Sequence, residues 1–499
     1  MNRKKDKVNI SFLNLAAQSP SIELNFAISE KTYLESNQKK HVFFMCDRAL
    51  TSCSLNVLNR KSICNICRYK ARKGFKYFKA RNKNSILIPI KRKDLEYDES
   101  LKKDNHIQNE ILLGVYSTIG SQLRLDDMSL LNKRWSKIKD KMIESSYGLY
   151  SYFNDFFKLN NVENFIIFNG RISCARPLKV VSENNNVNYT LFDGAVNGIT
   201  PYYATNEMFH SIEFEKRNAL KSYLKYFKIS RELAKEYSFK KINKIPILRD
   251  VVFTKNQIKG FVDTKILEVK KPIISIFVSS DDEYRFLGSD FGKDPIVDQI
   301  QTIKKLIRSH LKDKYTFIVK MHPNQDKSHE SIFNKYQDLS REVMIVFPDN
   351  KTDTYSLIDI SSIIINFSSS IGAEVNYLRK PVVQIGPSKW MGLPTANFVK
   401  DADQAITLIS QNNYKLMPQR SSIAYFTFNM RPSFELDSYK YISDGVFTYG
   451  DKFIKAPFIL RLFSVYDKLI QSNLKGDKDI LSRLYLYIPN LIFGTTKTR

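Results

Sequence analysis

The chain has five cysteines in 499 residues and no apolar run as long as the roughly 18 residues a membrane-spanning helix requires. The scarcity of cysteine argues against a disulfide framework and for a reducing, cytoplasmic setting. No spanning helix is expected. Met1 to Lys7 is basic, but only VNISFLNLAA follows before polar residues resume, so no secretory signal is expected either. Acidic residues are also short, 51 Asp and Glu against 78 Lys and Arg, for a formal charge of +27. Such a chain expects an acidic partner: nucleic acid, an anionic membrane surface or phosphorylated substrates. The cations are spread along the whole chain, which weakens the nucleic-acid reading. No internal repeat or low-complexity linker stands out. No Asp-x-Asp pair offers itself to a diphosphate-bridging metal; Asp281 and Asp282 are adjacent, not spaced. What remains, at 43% hydrophobic and 13% aromatic residues, is a folded globular protein long enough for two or three domains.

The most informative stretch runs from Asp353 to Gly386. Ser362 to Phe367 reads as a buried strand, followed by the triplet Ser368-Ser369-Ser370, a helical pattern from Ile371 to Arg379, and a second apolar run, Val382 to Ile385. This is a βαβ unit. Its turn offers hydroxyls and backbone N–H groups to an anion at a helix start, and Glu374, one turn on, is placed to meet ribose hydroxyls. The same triplet could equally cap a helix and bind nothing.

Taken in order, the chain opens β-α-β: strands Val8 to Leu13 and His41 to Cys46 flank a helix from about Ser21 to Glu35, the start of a Rossmann-like domain. Cys46, Cys53, Cys64 and Cys67 follow, a candidate structural zinc set in which only the last pair has knuckle spacing; buried or free thiols are the alternative. Later strands are read at Ser85 to Ile90, Asn164 to Phe168 and Tyr189 to Phe192, with helices over 104–159, 176–183 and 206–237. The pattern loosens between Lys241 and Lys271, and beyond it strands and helices alternate regularly, predicting a second parallel, doubly wound sheet. The expected division is 1–265, 266–425 and a helical segment 426–499 packing back across both domains.

In doubly wound sheets ligands collect outside the carboxyl ends of the strands. In the second domain those ends carry Ser279-Ser280, His322-Pro323-Asn324 and Ser368 to Ser370; in the first, Asn169-Gly170-Arg171 and Asp193. Arg171 and Arg176 are candidate anion forks. Asp193 and, early on the first helix, Glu23 are candidate general bases.

The segments FNGR then RP, IFVSSDDEY, KMHPN, YSLIDISSIIINFSSSIGAE and KPVVQIG resemble the bacterial capsular and surface polysaccharide biosynthesis proteins. The His-Pro and Ser-rich elements are similar to those of sialyltransferases, Kdo transferases and CDP-glycerol glycerophosphotransferases. The resemblance, from about Val8 to Gly386, implies a GT-B fold: two Rossmann-like domains facing across a cleft. It implies a nucleotide-sugar donor, CMP-linked by analogy, whose phosphate meets His322 and Ser368 to Ser370, with Glu374 at the ribose. It implies transfer to a growing polysaccharide or its lipid-linked acceptor, with no cofactor required. A CDP-linked polyol-phosphate transferase, or a non-catalytic basic protein at a membrane or nucleic acid, are the alternatives. Sialyltransferases of this kind carry a paired acid before Gly, where this chain has only Phe192-Asp193-Gly194. The basic surface suits peripheral docking on the inner leaflet of the plasma membrane.

Overall fold

A computed structural model describes residues 7–474 except 38, 195–199, 248–251, 281–283, 293, 295, 324, 326–329 and 444–445, with side chains described as far as 471. The first sheet comprises β1 (Val8–Leu13), β2 (His41–Cys46), β3 (Ser85–Ile90), β4 (Val162–Phe168), β5 (Asn188–Gly194) and β6 (Pro201–Thr205) in the order β3-β2-β1-β4-β5-β6. All neighbours run parallel except β5 and β6. Helices α1 (Ser21–Glu35), α2 (Lys61–Arg81), α3 (Asn105–Leu123), α4 (Lys133–Leu159) and α5 (Arg176–Asn184) accompany it, followed by α6 (Ile212–Lys225) and α7 (Ser230–Ile242). Central strands β1 and β2 are buried along most of their length because helices cover both faces. Phe12, Phe44 and Phe165 pack on Phe153 of α4 with ring centroids 4.8–5.9 Å apart.

The second sheet repeats that winding. Strands β7 (Ile273–Phe277), β8 (Thr316–Lys320), β9 (Met344–Val346), β10 (Ile363–Asn366), β11 (Val382–Ile385) and β12 (Asn397–Val399) lie in the order β12-β11-β10-β7-β8-β9, all parallel. Each sheet thus has the Rossmann order 3-2-1-4-5-6 within its own domain, reversing direction between its first and fourth strands. The architecture is α/β and GT-B-like, two doubly wound domains with cavities between them.

Several expectations need correction. The final segment is not wholly helical: β13 (Tyr439–Ser443), β14 (Val446–Tyr449) and β15 (Lys452–Phe453) form an antiparallel sheet. There the buried Tyr439, Phe447 and Tyr449 give a strand-like pattern, and Gly450 takes the left-handed turn at φ +57. This sheet packs on α1, and the helix Phe458–Leu474 packs on α2, so the tail returns to the first domain rather than crossing both. The crossing is made by the helix Gln419–Met430, which touches α6, α7 and the helix Ile371–Tyr377; Phe426 stacks on Tyr237 at 4.2 Å. The helix Gln299–Arg308 starts where Asp298 caps it by accepting from the Gln301 N–H. Among the described residues no helix is long and apolar enough to cross a membrane.

Candidate functional site

The second sheet reverses between β7 and β10, and the ends of β7, β8 and β10 open onto one cleft. Val278, Lys320, His322, Pro323, Ser369, Ser370 and Glu374 line it, and Lys240 and Lys241 of α7 with Lys244 of the turn after it close it. Its volume is about 730 Å³ counting the open mouth. Tyr355, Phe253 and Thr354 complete the wall.

The serine turn is held by residues that sequence reasoning missed. The Ser369 carbonyl accepts from Asn366 Nδ2 at 2.9 Å and Trp390 Nε1 at 3.1 Å. A Cβ on Gly372 would stand 2.4 Å from the Trp390 ring, so glycine alone lets the indole approach. Ser370 makes no capping bond; its Oγ donates instead to Glu374 Oε1 at 3.3 Å, while Tyr355 donates to Oε2 at 2.7 Å. Glu374 therefore fixes the turn and can meet a ligand only through its remaining lone pairs. Ser368 donates to the Pro387 carbonyl at 3.0 Å and does not line the cleft. The helix behind the turn spans only seven residues, so side chains, not a long dipole, supply most of the field.

That field comes from lysines. Lys320 is 3% exposed and donates to the Thr352 carbonyl at 3.1 Å. Burial, with nearby Lys244 adding to it, brings its ammonium down to about 8, against the pull of Asp353. Lys244 pairs with Asp353 at 3.2 Å, and Asp353 also caps the helix Thr354–Ile360. The backbone N–H of His322 donates to Gln325 Oε1 at 2.9 Å, and its ring meets Phe253 edge-on at 5.3 Å. The signal for Lys320 was an unusual one: a lysine ending an otherwise apolar strand (TFIVK).

The other expected positions part company with this cleft. Ser279 and Ser280 line a separate cavity of about 1120 Å³ with Arg124, Arg285 and Tyr336. Ser279 is bonded through backbone and hydroxyl to the Gln299 amide. Asn324, Asp281 and Asp282 lie outside the described residues.

In the first domain, Asn169 and Gly170 adopt consecutive left-handed conformations at φ +63 and +81. Asn169 donates to Asp193 Oδ2 at 2.6 Å across the ends of β4 and β5, and the Gly194 N–H donates to Oδ1 at 2.7 Å. Arg171 is turned to Ser117 and Ser121.

Arg176 is no anion fork. It is wholly buried, 2.8 Å from Glu110 and 3.4 Å from Asp290, and donates to the Phe286 and Leu287 carbonyls. It clamps the loop after β7 against α3. Glu23 is likewise no open base: it is 2% exposed, 3.5 Å from Lys70, and accepts from Ser19. Its burial raises the carboxyl above its ordinary range, the Lys70 charge only partly opposing.

The zinc set also fails to assemble. No group of three or more His, Cys, Asp or Glu among the described residues is placed to hold a metal. Cys67 accepts from the Ala17 N–H and Cys64 from Asn56. Burial pushes Cys46 up to about 11 and Cys67 to about 12, as expected of inert buried thiols.

Fold and cleft together define a two-domain α/β protein with a cationic, hydroxyl-bearing pocket at the switch point of its second sheet. No protein family and no curated protein matches the chain. Among solved structures it is similar to KpsC β-Kdo 2,4 transferase of Thermosulfurimonas dismutans, at 13% identity and TM-score 0.34 over 54% of this chain and 79% of that one. The β-Kdo 2,7 transferase KpsC of the same organism gives 12% and 0.33 over 55% and 78%. The UDP-GlcNAc 2-epimerase of Methanocaldococcus jannaschii, in complex with UDP-GlcNAc and UDP, gives 10% and 0.26 over 84% and 97%. At such identities and scores the likeness assigns no activity to this chain.

Proposed function

We propose that the chain is a glycosyltransferase, moving a sugar from a nucleotide-sugar donor to a growing surface or capsular polysaccharide or its lipid-linked acceptor. One observation carries this reading: Lys320, His322, Ser369 and Ser370 converge on one cleft at a switch point and face a wall of three lysines. The donor's phosphate sits among these groups. As the glycosidic bond breaks, negative charge grows on the leaving phosphate, and preorganised cations and hydroxyls stabilise it more than they stabilise the bound donor. The cationic wall supplies this stabilisation in a transfer that requires no cofactor. Asp193, oriented by Asn169, takes the proton of the acceptor hydroxyl.

The test is nucleotide binding followed by donor turnover. CMP, UDP and GDP are screened by thermal shift, and at least one raises the melting temperature of the parent protein. The His322→Ala protein melts like the parent without ligand but loses that shift and loses sugar release from the matching donor. Failure of all three nucleotides to bind, or an unchanged response in His322→Ala, sinks the assignment. Release of a polyol phosphate from a CDP-linked donor, with nucleotide sugars inert, would replace it by the polyol-phosphate transferase reading.

A further inference from the structure

The helix Phe458–Leu474 presents a row of large apolar side chains outward. Phe458, Ile459, Leu462, Phe463 and Tyr466 are 47, 56, 46, 62 and 69% exposed. On the side facing the protein, Ser464 and Gln471 are buried and Asp467 pairs with Arg60 and accepts from Ser62, beside the half-buried Leu460, Val465, Leu469 and Ile470. In water the reverse arrangement is the stable one. A helix that buries polar side chains while leaving so many large apolar ones outward is built for a non-aqueous contact on that outward face.

What lies beside it names the contact. The helix rests on α2, which has no Asp or Glu and a Lys or Arg every few residues. Between the two runs a groove of about 1230 Å³ lined by Arg68, Tyr69, Arg72, Lys73, Lys76 and Leu460. Arg72 and Lys76 are exposed, and Tyr69 is 37% exposed beside them. An apolar helical row flanked by cations and a tyrosine is the composition that lies in the plane of an anionic bilayer, with aliphatic side chains at the acyl boundary and ammonium groups among phosphates. A second copy of this chain would bring like-charged α2 helices together, and a nucleic acid has no use for the aliphatic row.

We propose that this face, the outer side of Phe458–Leu474 together with the cations of α2, docks the protein on an anionic lipid surface. The proposal stands independently of the transferase reading.

The experiment is co-sedimentation of the full-length protein with vesicles of phosphatidylcholine alone or with about one third phosphatidylglycerol. Binding is expected to be on the order of tenfold tighter on the anionic vesicles and to weaken with salt. Leu462→Asp/Phe463→Asp is expected to lose it at every salt concentration. Arg72→Ala and Lys76→Ala should each weaken it roughly fivefold on anionic vesicles only. These positions are exposed, so unchanged melting temperatures confirm folding, and the nucleotide thermal shift of the same samples reads the donor cleft separately. Equal binding to both vesicle types, or parent-like binding by the double variant, overturns the proposal. So does a parent dimer that Phe463→Asp splits, or capture of an acidic protein without any vesicle binding.

Discussion

The two domains wind their strands in the same order, yet they treat the polar residues at their strand ends in opposite ways. In the second, Lys320, His322, Ser369 and Ser370 keep a face toward an open cleft. In the first, a candidate cation and a candidate carboxylate are consumed internally: Arg176 by Glu110, Asp290 and two carbonyls, and Glu23 by Lys70 and Ser19. A charged residue at a strand end thus marks a place where a ligand can bind, and equally one where a neighbouring loop can dock. Whether the protein itself satisfies the charge decides between the two.

The largest effect that would sharpen this contrast is expected at Arg176. Arg176→Ala leaves the buried Glu110 without its cation and Asp290 with Lys179 alone, and should cost about 3–5 kcal/mol, read by denaturant unfolding. Next is His322→Ala, which should leave unfolding unchanged while weakening nucleotide binding roughly 10- to 100-fold, as expected for a charge-assisted hydrogen bond. A parent-like nucleotide affinity would erase the proposed difference between the domains.

Lys320 gives a smaller, pH-dependent signature. Its folded-state value of about 8 lies below the ordinary 10.5, so the folded state bears the penalty of a buried charge below pH 8. That penalty is relieved as pH rises from 8 to 10.5, where only the unfolded chain binds the proton. Stability of the ligand-free parent should therefore rise across that window relative to Lys320→Met, as measured by chemical denaturation at a series of pH values. Nucleotide affinity should run the other way, falling above pH 8 in the parent as the ammonium is lost. The smallest effects distinguish the serines: Ser370→Ala frees Glu374 and should weaken nucleotide binding a few-fold, whereas Ser368→Ala, turned to Pro387, should leave it unchanged in the same titration.

Period and punctuation made much of the fold legible. The apolar runs at 8–13, 41–46, 273–278 and 362–367 read as strands, and the interposed helical stripes pointed to parallel sheets. The strand β6 was missed because PYYAT pairs antiparallel to β5 after a short return, outside the βαβ rhythm. In the candidate site, His322 and the serine turn were visible because each follows an apolar strand. Lys240, Lys241 and Tyr355 were not, since they reach the cleft from helices whose spacing alone does not say which face meets the second domain.

By itself the sequence determined two parallel sheets, the rough point where one gives way to the next, and the strand ends at which polar groups would gather. These follow from local periodicity, which the chain carries in every window. Only the tertiary structure decided which of those groups stay open. Arg176, Glu23 and Cys67 are closed by partners distant in sequence, such as Asp290 for Arg176 and Ala17 for Cys67, because satisfaction of a buried charge or donor is a property of the packed whole. The same holds for Phe458–Leu474: its amphipathic pattern is written in the sequence, but which side faces outward was settled by the polar surface that α2 offers it.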